Sequence, residues 1–449
     1  MPPLRPAGTR AIAGAMTTQD IQRGDVLLRG AGRFERKVGI FSRLVAPGFA
    51  KVLDHIDRGL ATGSLRATLP DGSERMLGGR AEGFDCEVTL HDWRALLRLA
   101  TNGSIGWYQA WEAGEWSSPD PVPLFALFMA NAATLGGTAR AKGPMRLAAR
   151  VAHWFNRNTK DGAARNIRAH YDLGNDFYAA WLDETMTYSS ALWGVMGEPN
   201  EYQQMTSELS YGQLGKIAAI QQRLQPRDGQ KLLEIGCGWG GASAIIAGQG
   251  VDIDAISLSP EQLAWAKEAL PEDLAGAVRF LERDYRDVDG QYDGIFSVEM
   301  VEALGREYWP SYMDCIARNL KPGGRAAIQY ISIRDDLFDA YAASADFIQA
   351  YIFPGGLLIR TSEFRALAQE RGLEWRDRTD FGQHYAETLC IWREAFDAAA
   401  AEGALPDGFD DQFVRLWRYY LMYCEGGFRG GGIDVHQVTL VKPESYKGE

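Results

Sequence analysis

The run Lys231-Leu232-Leu233-Glu234-Ile235-Gly236-Cys237-Gly238-Trp239-Gly240-Gly241 decides the fold: a short apolar strand that passes directly into a cluster of glycines. Glycine tolerates positive φ and leaves the backbone bare, so such a turn lets N–H groups approach a ligand at the start of the next helix. The stretch therefore predicts a cradle for a nucleotide-type cofactor. Gly236, Gly238 and Gly241 also satisfy the dinucleotide pattern G-x-G-x-x-G, which is weak evidence by itself.

Two neighbours favour S-adenosylmethionine over a dinucleotide. Glu234 stands two places before the first glycine, and Gly240 completes the form G-x-G-x-G. Where a dinucleotide enzyme wants an acid for the ribose, the next apolar run ends in Ser257, with Gln262 following. A hydroxyl and an amide can bind a ribose diol equally well. A turn that merely packs is the third alternative.

With 449 residues, 46% of them hydrophobic and 24% charged, the chain has room for two or three domains with sizeable cores. Its formal charge of −12 is uneven, because residues 1–50 and 140–168 gather Arg and Lys. An acidic protein with local basic patches points to an anionic lipid surface and away from nucleic acid. Cys86, Cys237, Cys315, Cys390 and Cys424 are scattered and odd in number, which argues against a disulfide framework or a metal site and for a reducing compartment. No run reaches the roughly eighteen apolar residues of a membrane span, and the opening residues lack a signal segment. We therefore expect a cytoplasmic protein with peripheral contact at the inner membrane face.

Taken in order, residues 1–45 read as a basic arm, and 46–138 as a compact α+β unit with helices at 49–56 and 92–100, strands at 64–69 and 86–90, and an apolar helix after Pro121. Trp107, Tyr108, Trp111 and Trp116 read as core, with an acyl-chain surface as the alternative. In 139–165, Met145, Leu147, Val151, Trp154 and Phe155 interleave with Arg146, Arg150 and Arg157. Such a segment suits an anionic bilayer or an interdomain linker equally. After the glycines, strands at 251–258, 278–282, 293–298 and 325–333 alternate with helices at 260–270 and 306–319. Alternation of this kind means a parallel sheet covered on both faces, with ligands at the carboxyl ends of its strands. Residues 335–356, rich in Phe and Tyr, read as a lid or acyl channel.

Further blocks carry a resemblance: H-Y-D-L-G-N-D-F-Y (170–178), M-T-Y-S-S-A-L-W (186–193), D-Y-R-D (284–287), S-V-E-M-V-E (297–302), L-K-P-G-G (320–324), F-P-G-G (353–356), F-G-Q-H-Y-A-E-T-L (381–389) and R-L-W-R-Y-Y-L-M-Y-C (415–424). With the glycine turn and G-S-I-G-W-Y-Q-A-W-E-A-G-E-W (103–116), the chain resembles the cyclopropane fatty acid synthase family, which includes the mycolic acid methyltransferases. The resemblance implies an α/β, Rossmann-like class I methyltransferase domain over 166–449, with a mainly parallel sheet and a smaller N-terminal α+β domain for lipid. It further implies transfer of the sulfonium methyl of S-adenosylmethionine to a cis double bond in an unsaturated phospholipid acyl chain, and a homodimer.

Carried over by position, the resemblance places Tyr188, Ser189, Gly236, Gly238, Ser257 and Gln262 around the methionine and ribose, and Tyr285 with Asp284 at the adenine. Glu234 and Gly240 belong to the same donor loop. The family holds a bicarbonate as base, and its ligands fall on Ser190, Glu302, Gln329, Ile331 and Tyr385. Ser190 stands where the family has cysteine, Gln329 where it has histidine, and Ala303 where a histidine commonly follows the glutamate. An imidazole that could relay a proton is thus missing. Ring closure remains the first expectation, by a narrow margin. A cation that keeps its methyl proton can shift a hydride, lose a proton elsewhere and leave a methylene or methyl-branched chain. Tyr178, Phe353 and Tyr385 are candidates to shield such a cation with their ring faces. A methyltransferase for a small soluble acceptor and a non-catalytic lipid-binding relative are the competing classes.

Overall fold

The structure, a computed structural model, describes residues 23–24, 27–28, 46–136, 173–196 and 208–444. The arm expected at 1–45 lies almost wholly outside the described residues, and the basic segment 139–165 lies entirely outside them.

The N-terminal unit is a small sheet with helices packed on it. Its strands β1 (Ser64–Thr68), β2 (Glu74–Gly78), β3 (Asp85–Leu90) and β4 (Trp116–Ser117) run in the order β2-β1-β3-β4, with β1 antiparallel to β2 and parallel to β3. Strand β2 was not foreseen: E-R-M-L-G has one fully buried side chain, Leu77, and no clear alternation. The helix Arg94–Glu112 runs past its expected end at 100, and its periodicity breaks because Gly103 adopts φ 61 inside it.

The larger sheet follows the sequence-based expectation closely. Strands β5 (Lys231–Ile235), β6 (Asp252–Ser257), β7 (Val278–Glu282), β8 (Tyr292–Val298), β9 (Leu320–Ile333), β10 (Glu374–Asp380) and β11 (Ile433–Val441) stand in the order β10-β11-β9-β8-β5-β6-β7. Pairings from β7 through β6, β5 and β8 to β9 are parallel, and β11 lies antiparallel between β9 and β10. Helices cover both faces, so Leu232, Leu233 and Ile235 of β5 are all buried, as parallel strands require. The chain leaves β5 toward β6 on one side and later returns to place β8 on the other. A crevice for a ligand opens at the carboxyl ends of strands that part in this way.

The N-terminal unit is fitted into the large one. Its helix Pro121–Ala130 crosses the helix Asp411–Arg429 where Gly426 and Gly430 remove side chains that would overlap Phe125 and Ala126. Phe125 meets Tyr419 and Tyr423 edge-on at 5.3 and 5.4 Å, and Tyr108 packs on Phe347, Tyr351 and Tyr419 at 4.7 to 5.0 Å. Edge-to-face rings at such spacing add roughly 0.5–1.5 kcal/mol per pair beyond area burial. Core was therefore the right reading for Tyr108, while Trp107, stacked on Trp116 at 4.4 Å, serves a second purpose described below.

Candidate active site

Two cavities meet between the sheet and the helices after it. The first lies at the carboxyl ends of β5, β6 and β8 and is walled by Gly236, Gly238, Ser257, Gln262, Tyr285 and Glu299, with Tyr188, Ser189, Glu234 and Lys216 completing it. The glycines divide by role. Gly238 has φ 52 with nothing within 4 Å of where a Cβ would stand, so its bare face is open toward a ligand. Gly240 has φ 81 and would press a Cβ onto Phe280 and Ala266 at 2.8 and 2.9 Å, and it does not line the cleft. Its place in the motif is explained by helix-to-sheet packing.

The other donor-site candidates distribute similarly. Ser257 Oγ lies 3.4 Å from Gln262 Oε1 on the cleft wall, while Ser259 caps the helix Pro260–Ala269 and holds Gln262 in position. Tyr285 lines the cleft, its hydroxyl 3.1 Å from Ser311 Oγ. Asp284 stays outside the lining, with its carboxylate forked onto Arg286 at 2.6 and 2.8 Å. Glu234 accepts from the hydroxyl of Ser243, and burial pushes its carboxyl up to about 8. Tyr188 reaches the hydroxyl of Tyr420 at 2.8 Å. Tyr178 is fully buried, packed between Tyr188 and Trp239 at 5.4 and 5.0 Å, and lines neither cavity.

The second cavity, of about 300 Å³, is lined almost entirely by apolar and aromatic side chains. The large domain supplies Glu302, Ile331, Phe353, Tyr385 and Tyr420, and the segment 335–356 contributes Leu337, Tyr341 and Ile348. The N-terminal unit supplies Leu99, Trp107, Phe125, Phe128, Met129 and Ala132. Ala303 lines both cavities and marks their junction.

At that junction the five residues assigned to an anion do not surround one empty space. Three of them converge on Glu299. The Ser190 N–H donates to Glu299 Oε1 at 2.9 Å, Gln329 Nε2 to the same oxygen at 2.8 Å, and the Tyr385 hydroxyl to Oε2 at 2.7 Å. The Ser190 hydroxyl, expected to replace a thiol, donates instead to the Ala191 carbonyl at 2.8 Å. Gln329 is oriented by Gln437, whose amide donates to its Oε1 at 3.0 Å. Ile331 gives its N–H to Glu302 Oε1, and Glu302 Oε2 is buried without a partner.

Glu299 escaped the sequence reading although the block S-V-E-M-V-E contains it. The signal was two carboxylates three places apart just after a predicted strand, only one of which was weighed. Its backbone is strained, with φ 50 directly after β8, a geometry that costs of order 1–3 kcal/mol and collects at functional positions. Burial raises the Glu299 carboxyl, opposed by Lys216, the Ser190 N–H and the Tyr385 hydroxyl. Burial and the neighbouring Glu299 push Glu302 up to about 8. Both carboxyls are raised, and only Glu299 has a cation and three hydrogen-bond donors that oppose the rise.

The comparisons with known proteins agree with this architecture. The profile of the family described as mycolic acid cyclopropane synthetase matches residues 158–438. The tuberculostearic acid methyltransferase of Mycobacterium tuberculosis is 37% identical over 395 residues, covering 84% of this chain and 88% of its own. The cyclopropane-fatty-acyl-phospholipid synthase of Escherichia coli K12 is 33% identical over 346 residues, 76% of this chain and 84% of its own. Among solved structures, the Mycobacterium tuberculosis cyclopropane synthase MmaA2 superposes with a TM-score of 0.55 at 28% identity, covering 62% of this chain and 98% of that one. A mycolic acid cyclopropane synthase solved with S-adenosylhomocysteine gives the same TM-score and identity over 62% of this chain and 97% of its own. The open face of Gly238, beside hydroxyl and amide groups at the ribose position, is chemically suited to the same donor. The chain belongs to the mycolic acid cyclopropane synthetase family and is an S-adenosylmethionine-dependent methyltransferase with the class I fold.

Proposed function

We propose that this enzyme methylates the cis double bond of an unsaturated acyl chain in a membrane phospholipid, that Glu299 takes up the proton released, and that the product is an open-chain methylene rather than a cyclopropane. The observation that carries the reading is the Glu299 carboxylate on the donor-cleft wall, held by Ser190, Gln329 and the hydroxyl of Tyr385, a residue that lines the apolar cavity. Those are three of the groups that would have held a bicarbonate. With their hydrogen bonds directed to Glu299, they leave no donor set for a separate ion, and the base is built into the chain.

The bound donor supplies an electrophilic methyl group. The apolar cavity aligns the alkene with it and keeps water from the cation that forms. One olefinic carbon gains the methyl, and its neighbour becomes the cation. Phe353 and Tyr385 on the wall offer ring faces to that charge. Loss of a methyl proton at this stage would close a ring. A hydride shift from the methyl-bearing carbon to its neighbour competes with that loss, because it converts a secondary cation into a more stable tertiary one. The resulting tertiary cation then loses a methyl proton to Glu299 and becomes a methylene branch on the open chain. The name of the relative at 37% identity, a tuberculostearic acid methyltransferase, supports an open-chain product. The Escherichia coli relative supports ring closure. Among the described residues no helix is long and apolar enough to cross a membrane, which fits peripheral access to phospholipid.

Both products add the same CH2, so mass alone does not separate them. Incubation with donor labelled at the methyl carbon and vesicles of dioleoyl phosphatidylglycerol, followed by NMR of the extracted lipid, should give vinylidene signals. Ring-proton signals would replace our product assignment with cyclopropanation, and absence of label in the lipid would overturn the reading altogether.

A further inference from the structure

Lys216 stands in the middle of the helix Glu208–Leu224, on the face turned toward the sheet, and is 1% exposed. A lysine so placed is rare unless its charge is answered, because burying an ammonium costs several kcal/mol. Its two hydrogen-bond partners are neutral: Ser189 Oγ at 2.6 Å and Gln213 Oε1 at 2.5 Å. Among the described residues no carboxylate lies within ion-pair distance of it.

Each carboxylate that acts on Lys216 from further away accepts hydrogen bonds from other groups, although Asp183 Oδ1 is buried without a partner. Asp183 accepts from Thr185 and Ser210 at 2.8 Å, Glu234 from Ser243, and Glu299 from the three donors already named. An ammonium carries three N–H donors, so a third donor remains beside these two bonds, and the charge is answered only at longer range by Glu299, Asp183 and Glu234. Lys216 is also part of the donor-cleft wall. The other cationic wall residue among the described ones is Arg283, which sits at the opposite end beside Tyr285, with its N–H on the Ser257 carbonyl at 3.2 Å.

The donor has one anionic group, the α-carboxylate of its methionine part, which leaves the ribose through the sulfonium and ends a few carbons beyond it, still close to the reacting centre. Ser257 and Gln262 mark the ribose end, and Glu299 marks the reacting centre. Ser189, to which Lys216 is bonded, adjoins Ser190, whose N–H holds Glu299. We infer that Lys216 is the counter-ion of the donor's α-carboxylate and makes the cleft select a complete amino-acid donor over truncated adenine nucleosides. This deepens the donor-site reading and is independent of which lipid product forms. Burial holds the amine down to about 7, so an arriving carboxylate also stabilises its charged form.

Calorimetric titration with two probes tests it. S-adenosylhomocysteine carries the amino-acid end, and methylthioadenosine keeps the nucleoside but lacks that end. Lys216→Met should weaken S-adenosylhomocysteine by roughly 10- to 100-fold, the range for hydrogen bonds to charged groups, and leave methylthioadenosine unchanged. Equal weakening of both would make Lys216 a purely structural residue, and undiminished binding of the first would remove it from the site. Either outcome overturns the assignment. The wild-type protein supplies a test that needs no folded variant: the carboxamide of S-adenosylhomocysteine should bind at least tenfold more weakly than the acid, and equal affinity would overturn the inference.

Discussion

The donor cleft and the apolar cavity touch at Ala303, yet they are built on opposite principles. The cleft is largely local: one strand, its glycine turn and the ends of two neighbouring strands supply most of the wall, with Tyr188, Ser189 and Lys216 closing it from the segments before them. The cavity is assembled from distant segments, with Leu99, Phe128, Ile331, Tyr341 and Tyr420 meeting across two domains. The first recognises by directed polar groups, and the second by shape and dryness. Catalysis needs both, because a sulfonium is bound in a polar site while the cation it creates survives only away from water. Glu299 sits where the two requirements meet.

The largest effect should come from breaking that meeting point. Glu299→Gln keeps the shape and removes the base, so kcat should fall by about 10²–10⁴-fold, the usual range for loss of a general base. Affinity for S-adenosylhomocysteine should hardly change. Glu302→Gln should lose less than about tenfold, because a carboxyl pushed up to about 8 is already neutral at pH 7. Equal losses in the two variants would return the base to Glu302. In the wild type, kcat should fall as pH drops through the raised Glu299 value, since only the ionised carboxylate accepts a proton.

A smaller effect should follow from reshaping the cavity wall contributed by the N-terminal unit. Phe128→Ala widens it and Ala132→Phe narrows it, both away from the reacting carboxylates. With mixed vesicles holding monounsaturated chains of different length, the product ratio should shift in opposite directions in the two variants, by about tenfold. A few methylenes in or out of an apolar pocket are worth that much. The KM for the donor should stay constant. A parallel loss of activity on every chain would mean that the unit supports the fold without reading the substrate.

The same contrast decides what the sequence could reveal. Parallel strands are continuous apolar runs bounded by turns, so β5 to β8 and the donor loop were legible to within one or two residues. Strand β11 was not, because His436, Gln437 and Thr439 are buried polar residues that break the apolar run, and only the fold supplies their partners. Ser190 and Gln329 were found as positions, but Glu299, the group they bond, was not. A backbone N–H and a rotated amide point at Glu299, and neither direction can be read from residue type. The wall residues Leu99, Phe128 and Met129 look like ordinary core in sequence, since nothing local distinguishes an apolar side chain that fills a core from one that faces a cavity.

The least effect, and the finest test of the contrast, concerns the neutral carboxyl on the apolar side. Glu302 has a folded-state value of about 8 against an ordinary 4.5. A carboxyl whose value is raised on folding contributes stability that is fully present below its unfolded value and is lost as pH rises through its folded value. Wild-type Tm should therefore decline between about pH 5 and pH 9. Glutamine can still accept from the Ile331 N–H, and its amide replaces the oxygen that has no partner. Glu302→Gln should accordingly flatten the decline by about 2–4 °C, the shift expected from roughly 1 kcal/mol in a domain of this size. Glu234 and Glu299, also raised by burial, would keep a residual slope. Differential scanning fluorimetry across that range measures it directly, and an unchanged slope would mean that Glu302 is ionised in the folded protein and that the apolar side tolerates a charge.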